Sequence, residues 1–194
     1  MAEPAGYRYA RAMKTLAVAV ALAFAFTGTA HAEPAQVAHT SAKFSSYSPT
    51  AKAVTYDAAK VPEGAKVTVV SVPRFGGGTT VLLLLNGLLP NRAYGAHVHV
   101  KKCGAAPADS GPHFQNVVDP VQPSVDPAYA NPHNEIWLDV HTNGNGSAHT
   151  SSTVDWQFTD RHAQSVVLHN DHTHTAPGEA GTAGPRLACV NVTF

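Results

Sequence analysis

The chain has no surplus of charge of either sign. Its 194 residues carry 13 lysines and arginines against 13 aspartates and glutamates, and charged residues make up only 13% of the whole. No basic stripe or polybasic cluster stands out, which argues against a nucleic-acid footprint and against a tether to an anionic membrane. Nor is there a tandem repeat or an amphipathic helical pattern outside the first thirty residues. Long apolar runs are equally scarce. The longest, Leu16–Phe26, is shorter than a membrane span requires. Cysteine is nearly absent, with two copies only, Cys103 and Cys189.

That one apolar run has a recognisable setting. Arg8, Arg11 and Lys14 precede it, and Ala30-His31-Ala32 follows as a small-x-small cleavage site. The pattern predicts an export signal over residues 1–32, with Met1 or Met13 as alternative starts and a mature chain from Glu33. Residues 33–194 then hold ten basic and twelve acidic residues, a net charge of −2 with neutral histidines. Their length suits a single domain. An even cysteine count in an exported chain predicts a disulfide; a pair of metal thiolates is the competing reading.

What the chain has in quantity is histidine, 12 in all, together with 15 glycines and 14 prolines. Residues 33–50, rich in Ala, Ser, Thr and Pro, read as a flexible arm. From residue 51 onward, short valine-rich alternations recur between Gly, Pro and Asn turns. Ala53–Asp57, Ala65–Val72, Thr80–Asn86, Tyr94–Val100, Glu135–His141, Ser147–Phe158, Ser165–His169 and Leu187–Phe194 are the expected strands. Thr80–Asn86 is nearly all aliphatic and reads as a strand buried in a sandwich core. About eight strands without helices predict an all-β antiparallel sandwich or flattened barrel. Two long irregular segments, Lys101–Asn134 and His172–Gly184, interrupt the pattern, and loops of that length in a small domain usually carry function.

The histidines fall where chemistry can use them. In a strand, residues i and i+2 share a face, so His97 and His99 present two imidazoles side by side. His113 follows in the first long loop, and His169 ends a later strand. Four such rings converging on one ion would suit copper or zinc, and a tetragonal nitrogen set favours Cu(II).

Gly95-Ala96-His97-Val98-His99, Gly111-Pro112-His113-Phe114, Val166-Val167-Leu168-His169 and Gly184-Pro185-Arg186-Leu187-Ala188-Cys189 resemble, in this order, the motifs of copper-zinc superoxide dismutases. The resemblance runs from about Ala53 to the C-terminus. It implies an eight-stranded Greek-key barrel over residues 51–194 that converts superoxide to dioxygen and hydrogen peroxide. It also implies copper ligation by His97, His99, His113 and His169, with His113 as the bridging histidine that takes up a proton. Arg186 corresponds to the arginine that attracts the anion, and Cys103 and Cys189 to the intrasubunit disulfide. The zinc half departs from the pattern. Phe114–Pro132 contains no histidine, His133 stands alone, and Ile136 occupies the aspartate position. This resembles the copper-only branch, in which Glu135 of Asn134-Glu135-Ile136 replaces zinc beside His113 and accepts its hydrogen bond. The expectation is therefore a secreted copper enzyme acting on superoxide, without zinc and without a transmembrane segment in the mature chain. The alternative is a copper-storage or delivery protein of the same architecture. Trp137 and Trp156 read as packing residues, and His172 and His174 as solvated loop residues.

Overall fold

Alternation in the valine-rich segments is what builds the first sheet. In the computed structural model, which describes residues 1–2 and 36–194, strand β1 spans Ala38–Lys43, β2 Ala53–Thr55, β3 Lys66–Pro73 and β4 Thr79–Asn86. Strand β5 follows at Ala93–His99, β6 at Val140–His141, β7 at Ala148–Val154, β8 at Ser165–His169 and β9 at Arg186–Asn191. One 3-10 turn, Pro107–Ser110, interrupts the long loop after β5. The strands form two sheets, β1-β3-β4-β7 and β2-β9-β8-β5-β6, and every strand pair is antiparallel. The two sheets do not close into a barrel. All nine strands belong to one unit, Ala32–Phe194. The expected signal segment, 1–32, lies outside the described residues apart from its first two.

Between the sheets lies an aliphatic core. Val67, Val69, Val81 and Leu83 point inward from the first sheet, and Ala96, Val98, Val166, Leu168, Ala188 and Val190 from the second. Successive side chains of a strand point to opposite faces. With Ala96 and Val98 in the core, His97 and His99 must therefore stand on the outer face of β5; with Val166 and Leu168 inward, His169 must stand on the outer face of β8. That outer face is itself covered, since both β5 residues and all of β8 are buried. The second sheet thus has two covered faces, one packed on the first sheet and one roofed by the long loops.

Three expectations need correction. Residues 33–50 are not simply a flexible arm: Ala38–Lys43 pairs in full register with β3, from Ala38↔Ser71 to Lys43↔Lys66. Its Ala-His-Thr-Ser-Ala-Lys alternation has too little hydrophobic contrast to read as a strand. β4 is not buried on both faces. Val81, Leu83 and Leu85 are buried, but Leu82 and Leu84 are 37% and 44% exposed, because the first sheet is covered on one side only. And Glu135–His141 is a strand only in its last two residues. Its first part is held by single bridges, Trp137 to His97 of β5 and Glu135 to Gln115 of the loop that returns along β5, and the Asp139 carboxylate accepts the Ala96 N–H that a ladder partner would take.

Candidate metal centre

β5 delivers His97 and His99 to one face. His113 arrives because the loop after β5 folds back along it: Phe114 N–H donates to Val98 O at 2.8 Å, and His113 bridges to His99. His169 joins through the β5–β8 pairing, in which Gly95 is opposite His169 and His97 opposite Val167. Gly95 has to be glycine, since a Cβ there would lie 2.4 Å from Asp171 O. One nitrogen from each of the four imidazoles lies within 4.8 Å of the other three. His97, His99 and His169 are buried, and His113 is at the edge of a cleft.

Each ring has one nitrogen tied to the protein. His99 Nδ1 is 2.9 Å from Gly111 O, and His169 Nδ1 is 3.2 Å from Gly184 O. His113 Nδ1 is 2.8 Å from Glu135 Oε2. His97 Nε2 is 2.6 Å from Thr173 Oγ1, whose hydroxyl donates onward to Asp139 Oδ1 at 2.7 Å. Every one of these partners is an acceptor for the ring. Each therefore assigns the proton to the outward nitrogen and leaves a lone pair on the inward one. Four lone pairs turned toward one point is the donor set of a metal site, in which outer hydrogen bonds hold the rings.

An orphaned atom tests the fit. His97 Nδ1 is buried and has no hydrogen-bond partner among the described residues. A polar group left in that state costs about 1–3 kcal/mol, and a metal ion would satisfy it. Electrostatics agrees. Burial, reinforced by the charge of neighbouring His113, holds His97 and His99 well below the ordinary imidazole range. Burial first and His113 second bring His169 down to about 3. Neutral imidazole is the form that ligates metals.

The sign of the pH dependence follows. In the unfolded chain these imidazoles take up protons near pH 6.5, whereas in the folded chain they resist protonation until much lower pH. Between those limits the unfolded state binds more protons, so stability falls as pH falls. Metal-free protein is expected to lose thermal stability steadily from about pH 6.5 down to pH 5, before most carboxylates titrate. A melting midpoint that stays level over that interval would contradict buried neutral rings.

Glu135 is almost fully buried. Besides His113, it accepts hydrogen bonds from Trp137 Nε1 at 2.7 Å and from Gln115 Nε2 at 2.8 Å. Arg186, at the start of β9, donates from one guanidinium nitrogen to Pro107 O at 3.0 Å and to Ser110 Oγ at 2.9 Å. It lines the same cleft as His113, His169 and Glu135, a hollow of about 630 Å³. Burial lowers its pKa, but a guanidinium remains charged in proteins. Cys103 and Cys189 form a disulfide, which joins the loop carrying Pro107 and Ser110 to the strand carrying Arg186.

Other candidates stay apart. The His172 ring bonds to Val140 O, and His174 pairs at the surface with Glu179. Two further carboxylates of the first long loop are engaged locally: Asp119 caps its own loop through Val121 N and Ser124 Oγ, and Asp126 accepts from Ala128 N. His133 is exposed. Sequence reasoning missed four site residues. Thr173 and Asp139 form the relay to His97, and Gln115 and Trp137, the latter read as packing, donate to Glu135. No periodicity marks a hydroxyl in a loop. Asp139 alone left a signal, as a carboxylate beside the buried Leu138 and Val140.

The chain matches no protein-family model and no curated protein. Among solved structures it is similar to the clock protein EA4, at 18% identity and a TM-score of 0.51, over 81% of this chain and 92% of that one. At that identity the likeness concerns the fold alone.

Proposed function

We propose that this chain is an extracytoplasmic, copper-dependent superoxide dismutase of the copper-only kind. The observation that carries the reading is the set of four imidazoles, each with its outward nitrogen hydrogen-bonded and its inward nitrogen turned toward the other three. All-nitrogen donors suit copper, and bound copper would supply one-electron chemistry in both directions. The order of the four motifs resembles the dismutase family, and two packed antiparallel sheets are compatible with its Greek-key arrangement. The disulfide, and the lack of any membrane-length apolar helix among the described residues, fit export.

The residues divide the work. His97, His99 and His169 are rigid donors, each fixed by a bond to the backbone or to Thr173. His113 differs, being partly exposed and bonded to a carboxylate. It can hold a proton on Nδ1 against Glu135 and accept another on Nε2, which suits a reaction that consumes protons. A second metal beside His113 has no room in this scheme, since Glu135 already engages that nitrogen. Arg186 offers a fixed positive charge at the mouth, where a small anion enters.

Metal analysis with a turnover assay tests the reading. The expected result is one copper per chain, negligible zinc, and rapid superoxide consumption by copper-loaded protein. Copper binding without turnover would favour a carrier, and equal copper and zinc would overturn the copper-only assignment. Arg186→Ala is expected to keep copper, slow the reaction and flatten its dependence on ionic strength, as removal of a steering charge does. Unchanged kinetics at low salt would remove Arg186 from the mechanism.

A further inference from the structure

A second cleft lies where β1 approaches the end of β9, and its charge is one-sided. It encloses about 490 Å³, and the only fully charged side chains on its wall are Lys52 and Lys102. No carboxylate lines it. Neither lysine forms an ion pair among the described residues, where the bridges involve Lys60, Arg74, His113 and His174. The remaining wall offers neutral hydrogen-bonding groups, among them the hydroxyls of Thr50 and Thr193 and the Gln164 amide.

The backbone fastens these groups to one residue. Asn191 N–H donates to Lys52 O at 2.8 Å. The Asn191 side chain donates to Ala51 O at 3.2 Å and accepts from Cys103 N at 2.8 Å. Gln164 is tied alongside, its carbonyl accepting from Val192 N at 3.0 Å. Lys52 and Lys102 thus issue from two chain segments, remote in sequence, that the half-buried Asn191 clips together, and the Cys103–Cys189 disulfide adds a covalent tie from the Lys102 segment to β9. Both lysine side chains are exposed, and with no acid on the wall the cleft presents positive charge only. A wall of that composition suits an anion, with the backbone beneath the two lysines fixed by hydrogen bonds.

We propose that this cleft binds a phosphate group, held between the Lys52 and Lys102 ammonium groups with hydroxyl and amide donors completing its shell. A phosphate monoester carries about −1.5 to −2 charges at pH 7 and several acceptor oxygens. That matches two ammonium groups and neutral donors better than a singly charged carboxylate does. The assignment is independent of the metal centre. Free phosphate and a phosphorylated metabolite or polymer end would present the same chemistry.

Backbone amide shifts of the full chain, titrated with inorganic phosphate at a constant ionic strength of about 0.15 M, test it. Saturable shifts are expected at Lys52, Lys102, Gln164 and Asn191, and K52Q/K102Q should weaken binding about tenfold or more. K43Q/K66Q removes a lysine pair from the open face of the first sheet and should leave binding unchanged. Repeating the titration with glycerol 3-phosphate separates the sources: binding of the monoester identifies an esterified phosphate, and binding of inorganic phosphate alone the free ion; either supports the site. Shifts matched by sodium chloride, confined to the surroundings of Arg186, or retained in K52Q/K102Q would overturn it.

Discussion

Glu135→Gln is expected to reduce superoxide turnover of copper-loaded protein by about 10- to 100-fold, the usual consequence of losing an outer partner of a metal-binding histidine. The side chain changes by one heavy atom, but the hydrogen-bond pattern cannot be preserved. Glu135 accepts at both oxygens. One takes the His113 and Trp137 N–H groups, and the other takes the Gln115 amide N–H. A glutamine has one acceptor and one donor in the same place. If its oxygen faces His113, its NH2 meets the NH2 of Gln115, which is not free to flip because its own oxygen accepts from Asp119 N at 2.9 Å. If the amide is reversed, two N–H groups face an NH2. Either way a buried donor is left unmatched, at about 1–3 kcal/mol. His113 is then free to turn or change tautomer, and it is the least buried of the four rings. The loss should fall mainly on turnover rather than on copper content, because three other ligands keep their tethers. The pH profile should shift with it, which a purely structural role would not produce. Double replacement with Gln115→Glu restores a donor–acceptor match and is expected to recover part of the stability but not the pH profile. Wild-type turnover and pH dependence in Glu135→Gln would exclude the carboxylate from the chemistry.

The sequence reached the metal centre further than its surroundings, and the reason is physical. The His97 and His99 pair is a local rule, because alternation in a strand leaves the two rings no choice of face. His113 and His169 needed the pairing of β5 with a returning loop and with β8, which no spacing dictates; their motif order supplied it. The tethers were legible only where a charged residue stood out, as Glu135 did. Thr173 reaches His97 through the path of an irregular loop, and Asp139 meets Thr173 because both sit against the middle of β5, at Ala96 and His97. Strand β1 escaped notice for the opposite reason. Its partner β3 has strong alternation, but its own residues are small and polar, so tertiary pairing decides what local propensity does not. The phosphate cleft had no signature at all, since Lys52, Lys102 and Asn191 are remote from one another in sequence.

Removing the disulfide, as Cys103→Ala/Cys189→Ala, is expected to cost metal-free protein roughly 4.5 kcal/mol of stability. The bond closes a loop across a sequence separation of 86, and the chain-entropy relation gives about that figure for such a loop. Domains of this size typically hold about 5–15 kcal/mol in total, so the variant should sit near the edge of folding. Its melting midpoint should fall by about 9–18 °C, at ~2–4 °C per kcal/mol. Alanine is the appropriate replacement, because Cys189 is fully buried and a serine there would add an unpaired hydroxyl. A second effect separates this bond from a mere staple. The loop it pins contains Pro107 and Ser110, the two groups that orient Arg186, and Asn191 fastens the same loop through Cys103 N. Once the covalent tie is gone, Arg186 keeps its charge but not its fixed direction. At a temperature where the variant is still folded, turnover should therefore drop and its salt dependence should flatten, as in Arg186→Ala, while the copper content stays the same. Adding Arg186→Ala to the cysteine-free protein should then slow it little further, because both changes act on one function. A loss of unfolding free energy smaller than about 1 kcal/mol would show that the loop is held by other contacts. Fully additive kinetic losses would show that the disulfide and Arg186 act separately.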